Sequence, residues 1–281
     1  MEFRMSRNWP DDAQCVVCIT IDYDAPSVDL DMKYIPLGCH SHGHYSPKCG
    51  VPRYLAMLER QGVSATFFIP GYDAELFPES VRSISKAGHE IAAHGYMHES
   101  FDLGDAEPQL LKKSHEILAD LCGSPPIGWR NPGGAKTAST IRTLRSMNYI
   151  YDSSEKHDDL PFFSNLDGEP ITGFINLPNN TSSLDDYPFF DVSCPPPSEV
   201  LEHWKGEFHA IYTEGGFFNL TLHSRNGWGS GSPSRVRAVD DLISFIKQYP
   251  RVRFARLDEL ARWCLDNPSM WRTEIGEGSK K

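Results

Sequence analysis

The chain alternates short apolar segments with amphipathic ones almost from end to end, and this alternation restricts its possible folds more than any other feature. "CVVCITID" (15–22), "ATFFI" (65–69) and "FFNLTLH" (217–223) are rich in β-branched and aromatic residues, as buried strands are. Between such segments lie stretches with helical periodicity, for example the one that begins at Pro52 and ends at Gly62. Repeated strand–helix units predict a mostly parallel sheet covered by helices.

The number of these units indicates the type of α/β fold. About seven can be counted, which predicts a distorted (β/α)7 barrel. The chain has 281 residues and contains neither an internal repeat nor an interdomain linker, so we expect a single domain over residues 1–281 with its core at about 15–260. Two irregular stretches, 24–50 and 153–197, are longer than ordinary connections, and long loops in compact domains are usually functional.

Charge and composition argue against several functions. The net charge of −11 disfavours nucleic acid as a partner, because phosphate binding needs a basic surface, and it also disfavours anionic membranes. The polar start "MEFRMSRNWPDDAQ" holds no apolar segment of signal-peptide length, and no segment approaches the length of a membrane span. Seven cysteines are an odd number, which favours reduced thiols. We therefore expect a cytoplasmic protein.

Ionisable residues follow five of the predicted strands directly. Parallel strands of a barrel end at one rim, where the active sites of such folds lie, so these side chains are expected to meet. The residues are Asp22, Asp24, His94, His98, Arg130, Asp152 and His223. Taken alone, each has an ordinary structural explanation such as a turn, a cap or a buried ion pair. Their joint placement on one rim favours a functional site.

The residue types at this rim suit metal-assisted hydrolysis. Two neutral imidazoles and a carboxylate can hold a divalent cation and leave positions open for water and substrate. His94 and His98 are four residues apart and can reach one ion from a helical turn. Asp22 and Asp24 can face the same way from a strand end, so that one binds metal and the other takes a proton from water. Arg130 and the metal would keep both carboxylates ionised.

The motifs around these residues resemble those of the polysaccharide deacetylase family (NodB homology, carbohydrate esterase 4) and follow its order over roughly residues 15–260. "TIDYDAPS" resembles the first motif, an aspartate pair after a strand, and "HGYMHES" resembles the metal-binding H-x-x-x-H. "WRNPGG" is similar to the arginine–proline motif and "LTLHS" to the late Leu-x-Leu-His motif. The resemblance implies a NodB-like distorted (β/α)7 barrel that holds Zn²⁺ or another divalent transition metal.

By position, the resemblance implies a role for each residue at the rim. Asp22 corresponds to the general base and His223 to the general acid that protonates the leaving nitrogen. Arg130 would position Asp22, and the backbone N–H of Tyr96 or of a neighbour would hold the oxyanion. The implied metal ligands are Asp24, His94 and His98. The residues that we expect to contact substrate are Tyr96, His44, Asn131 and Asp186.

The sequence departs from the usual extracellular members of that family at three points. Its first aspartates form D-x-D instead of an adjacent pair, so their roles could be exchanged. "LHS" stands where Leu-His-Pro is usual. The aspartate that normally orients the acid histidine has no clear match, and the candidates are Asp152, Asp158 and Asp159.

These departures, together with "GVPRYLAMLERQGVSATFFIPG", resemble a cytoplasmic subgroup of peptidoglycan deacetylase-like proteins, cyclic imide hydrolases and metal-independent allantoinases. We therefore expect a hydrolase of non-peptide carbon–nitrogen bonds, foremost an N-deacetylase of an amino sugar, with an oligosaccharide or small molecule as substrate. One alternative is ring opening of a small cyclic imide or ureide. Another is a catalytically silent barrel that binds a ligand. A homo-oligomer is compatible with such a barrel.

The segment "LGCHSHGHYSPKC" (37–49) concentrates three histidines and two cysteines and invites comparison with a second zinc site. Its ligand spacing lacks a zinc-knuckle pattern, and its glycine, serine and proline content predicts a loop. Because the segment follows the strand that ends at Asp22, we expect it to lie over the rim as a lid. One of His40, His42 or His44 would then contact substrate.

Overall fold

A curled, mostly parallel sheet with helices on its outer side forms the described part of the chain. The computed structural model describes residues 9–99, 104–133, 136–166 and 169–273. The strands in these ranges are β1 (Cys15–Asp22), β2 (Thr66–Ile69), β3 (Glu90–Ala93), β4 (Gly128–Trp129), β5 (Tyr151–Asp152), β6 (Phe162–Phe163), β7 (Asn165–Leu166), β8 (Glu169–Pro170), β9 (Ile175–Asn176), β10 (Phe217–His223), β11 (Val252–Phe254) and β12 (Arg272–Thr273).

Helices connect most of these strands. In the same ranges they are α1 (Pro26–Asp31), α2 (Val51–Gln61), α3 (Gly71–Leu76), α4 (Pro78–Lys86), α5 (Glu107–Cys122), α6 (Ala138–Ser146), α7 (Pro197–Glu214), α8 (Pro233–Ile246) and α9 (Leu257–Asp266). Several have proline within their first two residues and are followed by a glycine in the left-handed conformation, for example α2 with Pro52 and Gly62 and α5 with Pro108 and Gly123. These are the start and stop signals that the sequence predicts.

The main sheet consists of parallel strands in a fixed order. Neighbouring strands follow the order β10–β1–β2–β3–β4–β5–β9, and all of these pairs are parallel. β6 then joins β9 in the antiparallel direction, and β11 pairs with β1. Seven parallel strands confirm the predicted distorted α/β barrel. In the described ranges no ladder joins β10 to the opposite end of the sheet, so the barrel stays open there.

Alternation along β1 and β10 determines which side chains face the barrel interior. On β1, Val16 and Cys18 belong to an inner apolar cluster, whereas Val17 and Ile19 pack on the outer side under the helices. Period-two geometry therefore turns Asp22 inward together with the residues before it. The same alternation on β10 turns His223 inward, because Phe217 belongs to the inner cluster. The inward-facing side of both strands is thus apolar at the amino end and polar at the carboxyl end.

Several segments differ from the sequence-based expectation. The stretch 37–49 is not an extended loop, because it folds as a 3₁₀ turn over Gly38–His44 and a π turn over Ser46–Gly50. The irregular stretch 153–197 contains four short strands. Helices α1, α3 and α9 have no counterpart among the predicted elements.

Helix α9 closes the amino end of the barrel over a buried polar cluster. Glu90 accepts hydrogen bonds from the Thr66 hydroxyl (2.6 Å), the Tyr151 hydroxyl (2.8 Å) and the backbone N–H of Asp258 (3.0 Å). The Thr66 hydroxyl in turn accepts the N–H of Leu257 at the start of α9 (2.9 Å). Burial, with a smaller effect of the Asp258 carboxylate, raises the pKa of Glu90 to about 8. The side chain is therefore neutral in the folded protein near pH 7.

This cluster predicts a stability that falls as the pH rises from about 5 to 8. In that range the folded state keeps the Glu90 proton and the unfolded state does not, so the free energy of unfolding decreases by up to about 1.4 kcal/mol per pH unit. The Glu90→Gln variant is neutral at every pH and should lose this slope. Urea unfolding at pH 5, 6, 7 and 8 measures it, with exposed Glu79→Gln as control. Parallel curves for wild type and Glu90→Gln would contradict the prediction.

Two further observations concern the whole chain. All seven cysteines lie in the described ranges and all are free thiols. No helix in the described ranges is both long enough and apolar enough to cross a membrane.

Candidate active site

Asp24, His94 and His98 come together where β1 and β3 end. Asp24 follows β1 and has a left-handed backbone with φ of +38°. The chain turns after β3 at Gly95, with φ of +69°, where a Cβ would lie 2.4 Å from the Glu99 carboxylate. Glu99 accepts the backbone N–H of Tyr96 (2.9 Å), which holds the turn in shape. The turn carries His98 back towards His94, so that their rings meet edge to face at 5.0 Å.

The donor atoms of this group have the spacing of a metal site. The Nε2 atom of His94 lies 3.7 Å from Oδ1 of Asp24, and Nε2 of His98 lies 3.5 Å from Oδ2. The three ligand atoms lie within 4.8 Å of one another. Ligands of a tetrahedral zinc ion with bonds of about 2.0 Å are separated by about 3.3 Å. Small adjustments would bring all three to a common ion.

Hydrogen bonding and charge also fit a cation at this point. Nδ1 of His94 bonds to the carbonyl oxygen of Arg130 (2.9 Å), which leaves Nε2 with its lone pair towards Asp24. Burial lowers the pKa of His94, so its imidazole is neutral as a ligand must be. Within the described ranges Oδ1 of Asp24 accepts no hydrogen bond although it is buried. Burial alone would raise the pKa of Asp24, but the neighbouring imidazoles lower it.

Asp22 stands beside this group and is held by Arg130. Nη1 of Arg130 donates to Oδ1 of Asp22 (2.8 Å) and to the hydroxyl of Thr20 (3.0 Å). Ser153 accepts from the same guanidinium through its carbonyl and hydroxyl oxygens, and the plane lies over the ring of Phe68. The other oxygen of Asp22 lies 3.8 Å from Nε2 of both His94 and His223. Arg130 therefore fixes one carboxylate oxygen and leaves the other facing the cluster.

His223 is oriented from behind by Asp186. Its Nδ1 lies 2.6 Å from Oδ1 of Asp186, and its backbone N–H donates to Oδ2 of the same carboxylate (3.0 Å). The N–H of Ser230 donates to Oδ2 as well (2.7 Å). Burial opposes protonation, but Asp186 and then Asp185 raise the pKa of His223 to about 10. The ring is therefore an imidazolium whose Nε2 points at Asp22 and Asp24.

The aspartate behind His223 corrects two expectations. Asp186, which we expected to face the substrate, is fully buried, and both of its carboxylate oxygens are engaged, by His223 and by the N–H of Ser230. Asp152 lies elsewhere, in an ion pair with Lys136 and a hydrogen bond with Ser154. The two other candidates, Asp158 and Asp159, line a separate cavity of about 270 Å³. Asp186 precedes His223 by 37 residues, and no spacing in the sequence indicates the contact.

Tyr96 is also placed differently from the expectation. Its backbone N–H donates to Glu99, so it is not available for an oxyanion. Its hydroxyl donates to Glu75 on α3 (2.7 Å), and Lys113 on α5 lies over its ring. The turn after β3 therefore supplies metal-site geometry, and its N–H groups maintain that geometry.

The histidine-rich segment borders the site without joining it. His42 bonds to the Asn226 side chain (2.8 Å), in the loop that follows His223. His40 stacks on Tyr34, and His44 packs edge-on against Phe77. The ring contacts of both histidines are therefore with residues outside the group Asp24, His94 and His98. Within the described ranges, none of the groups whose donor atoms could share an ion includes a residue of this segment. Asn131 lies next to Arg130, and its backbone N–H donates to the Ser154 hydroxyl (2.8 Å).

Two aromatic residues that the sequence did not single out flank His223. The Trp228 ring meets the imidazole edge to face at 4.7 Å, and Tyr187 meets Trp228 in the same way at 5.3 Å. Tyr187 is 43 % exposed beside an otherwise buried site. An aromatic residue after a glycine-rich turn is a weak signal, and the contact becomes visible only in three dimensions.

Comparison with known proteins shows the family to which the chain belongs. A family model described as polysaccharide deacetylase matches residues 37–151. A crystal structure from Mycobacterium smegmatis assigned as a polysaccharide deacetylase is 32 % identical, with 96 % of each chain covered and a TM-score of 0.85. The chain belongs to the polysaccharide deacetylase family. The peptidoglycan deacetylase of Helicobacter pylori is 29 % identical over 79 % of this chain and 85 % of that protein. A PuuE allantoinase structure is 25 % identical, with coverages of 93 % and 94 % and a TM-score of 0.80.

Membership in the polysaccharide deacetylase family defines the class of reaction. Its members are hydrolases that act on carbon–nitrogen bonds other than peptide bonds, and this chain is an enzyme of that class. Deacetylases of the family are metalloenzymes, and the group Asp24, His94 and His98 is the candidate metal site of this chain.

Proposed function

We propose that the chain is a zinc-dependent N-deacetylase that removes an acetyl group from an N-acetylated amino sugar. The observation that carries the proposal is the convergence of three units on one point. These units are the metal-ligand group, the Asp22–Arg130 pair and the His223–Asp186 pair. Each side chain matches one task in the hydrolysis of an amide.

The metal would be held by Asp24, His94 and His98. When bound, Zn²⁺ would polarise the amide carbonyl and lower the pKa of a water molecule. The arrangement leaves the remaining coordination positions to water and substrate, as catalytic zinc sites require. His94 is oriented for this task by its bond to the Arg130 carbonyl.

Asp22 would act as the general base. Arg130 holds one of its oxygens, so the second oxygen can accept a proton from the attacking water. The guanidinium also keeps the carboxylate ionised beside the second carboxylate, that of Asp24. Asp24 makes no hydrogen bond to Arg130, which supports giving the role of base to Asp22 and the role of ligand to Asp24.

His223 would act as the general acid. The departing nitrogen is a poor leaving group until it is protonated, and His223 carries a proton on a ring fixed by Asp186. Asp186 fixes the ring as the carboxylate of a catalytic triad fixes its histidine. Because Nε2 lies 3.8 Å from Oδ2 of Asp22, base and acid can reach the same reacting amide.

The choice of an amino-sugar substrate is supported by relatives. The Helicobacter pylori protein is a peptidoglycan deacetylase, and its similarity covers 85 % of its length. Tyr187 and Trp228 offer ring surfaces beside His223 on which the apolar face of a sugar can pack. The carbonyl of an acetyl group on such a sugar would then lie near the metal held by Asp24, His94 and His98.

The experiment that tests the proposal measures acetate release from an N-acetylglucosamine oligomer by zinc-loaded protein. We expect stoichiometric formation of acetate and free amine, abolished by a chelator and restored by Zn²⁺. A zinc-loaded protein that releases no acetate from oligomers of any length would overturn the proposed substrate.

Ring opening of a cyclic imide or ureide is the second candidate, favoured by the small opening of the site. Asp22, Asp24, His94 and His223 are each at most 8 % exposed, which suits a small ring better than a polymer. The PuuE allantoinase structure covers nearly the whole chain with a TM-score of 0.80. Succinimide and allantoin, followed by their ultraviolet absorbance and by product analysis, test this candidate in parallel. Turnover of either ring without acetate release would select it.

A further inference from the structure

Arg225 lies two residues beyond His223, and its side chain is almost completely buried, at 1 % exposure. Its Nη2 donates to both carboxylate oxygens of Asp29 on α1, at 2.9 Å and 3.0 Å. Its Nη1 lies 3.4 Å from the backbone carbonyl oxygen of Asp24 and 3.3 Å from that of Ala25. A planar guanidinium can make these contacts together because its donors point in fixed directions. A buried ion pair is thus attached to the backbone of a proposed metal ligand.

The segment that Arg225 contacts has an unfavourable backbone conformation. Asp24 has φ of +38°, which non-glycine residues rarely adopt without support from their surroundings. The surroundings supply that support on both sides. Asp73 accepts the N–H groups of Ala25 and Ser27, each at 2.9 Å, while Arg225 and the Ser46 hydroxyl donate to the Asp24 carbonyl. The conformation that directs the Asp24 carboxylate towards His94 and His98 is therefore fixed from outside.

We propose that Arg225, held by Asp29, is a positioning residue that fixes the backbone of Asp24 and thereby sets the affinity of the site for its metal. The inference rests on the proposed function, because it takes Asp24 as a ligand. Arg225 does not touch the ligand atoms, so it acts through the Asp24 carbonyl. Partners one step removed from a metal commonly change its affinity by about 10- to 100-fold.

The same residue links the metal ligands to the acid side of the site. The guanidinium lies 4.9 Å from the centre of the Trp228 ring, which packs edge-on against His223. Displacement of Arg225 would therefore change the surroundings of both Asp24 and Trp228. A purely structural ion pair would stabilise the fold without changing metal affinity, and this difference can be measured.

The experiment compares zinc dissociation constants by competition with a chromophoric chelator. The Arg225→Lys and Asp29→Asn variants should each bind zinc about 10- to 100-fold more weakly. The double variant should be little weaker than either single one, because the two residues act as one unit. Cobalt-substituted Arg225→Lys should also show an altered visible spectrum at saturating metal, which reports on ligand geometry and not on stability.

Arg256→Lys is the matched control. Arg256 makes two contacts with Asp258, at 2.8 Å and 3.2 Å, and one with the Gly88 carbonyl, at 3.1 Å, but at the other end of the barrel. Its zinc affinity should equal that of the wild type. Folded Arg225→Lys and Asp29→Asn proteins that bind zinc within about twofold of the wild type would overturn the inference.

Two further measurements keep the test decisive. If thermal melting shows that Arg225→Lys and Asp29→Asn do not fold, Ser46→Ala removes a single hydrogen bond to the Asp24 carbonyl and should weaken zinc binding a fewfold; unchanged binding would then reject the idea. A wild-type protein that fails to bind one zinc would reject the metal assignment itself. Wild-type binding that is lost in His94→Ala but kept in Arg225→Lys would reject only the positioning role.

Discussion

His94→Ala should bind no zinc at the site and lose hydrolytic activity completely, with turnover reduced by at least about 10⁴-fold. The substitution removes one of three protein ligands, and the two that remain cannot hold a catalytic ion firmly. It leaves Asp22, Arg130 and His223 in place, so the loss would be a consequence of the missing metal. Metal content by mass spectrometry of the dialysed protein, together with the amide assay, measures both effects.

His115→Ala is the control for this prediction. His115 is a half-buried histidine on α5 that contacts Tyr149 and takes no part in the site. It should keep metal and activity. A His94→Ala protein that retains full activity with an empty metal site would rule out the metal-dependent mechanism.

The strands that carry the catalytic groups could be predicted from the sequence because their signals are local. The apolar patterns of 15–22 and 217–223 agree with β1 and β10 at both ends. Parallel strands have their carboxyl ends at one edge, so the rim and its ionisable residues followed from the pattern. The expected ligand trio is brought together in the structure, with donor atoms within 4.8 Å.

The residues that hold these groups in place could not be predicted, because their contacts span long distances in sequence. Asp186 lies 37 residues from His223, and Arg225 lies 196 residues from Asp29. Such pairs have no fixed spacing, and an aspartate or arginine in an irregular segment gives no local signal. The backbone N–H of Tyr96 illustrates the same difficulty, since Glu99 takes it in a turn whose shape the sequence does not reveal.

Asp22→Asn should lower kcat by about 10²- to 10⁴-fold while the protein still binds one zinc. An amide cannot take a proton from water, yet it is nearly the same size as a carboxylate and can still accept the hydrogen bond from Arg130. KM should change little, because Asp22 is proposed to act on the attacking water and not on the substrate. Steady-state kinetics and metal analysis on the same preparation separate these quantities.

Because the D-x-D spacing allows either aspartate to be the metal ligand, this variant also tests which of the two has that role. If Asp22 were the ligand, Asp22→Asn would lose zinc and Asp24→Asn would keep it. We expect the reverse for both, because Asp24 approaches both His94 (3.7 Å) and His98 (3.5 Å), whereas Asp22 approaches His94 and is paired with Arg130. Asp22→Asn also leaves the buried Arg130 without a charged partner, which costs stability. Unfolding curves must therefore show that the protein is folded, and Asp240→Asn, at a carboxylate that contacts Arg60 and Gln61 outside the site, serves as the control. A folded Asp22→Asn protein with unchanged kcat would show that another group accepts the proton.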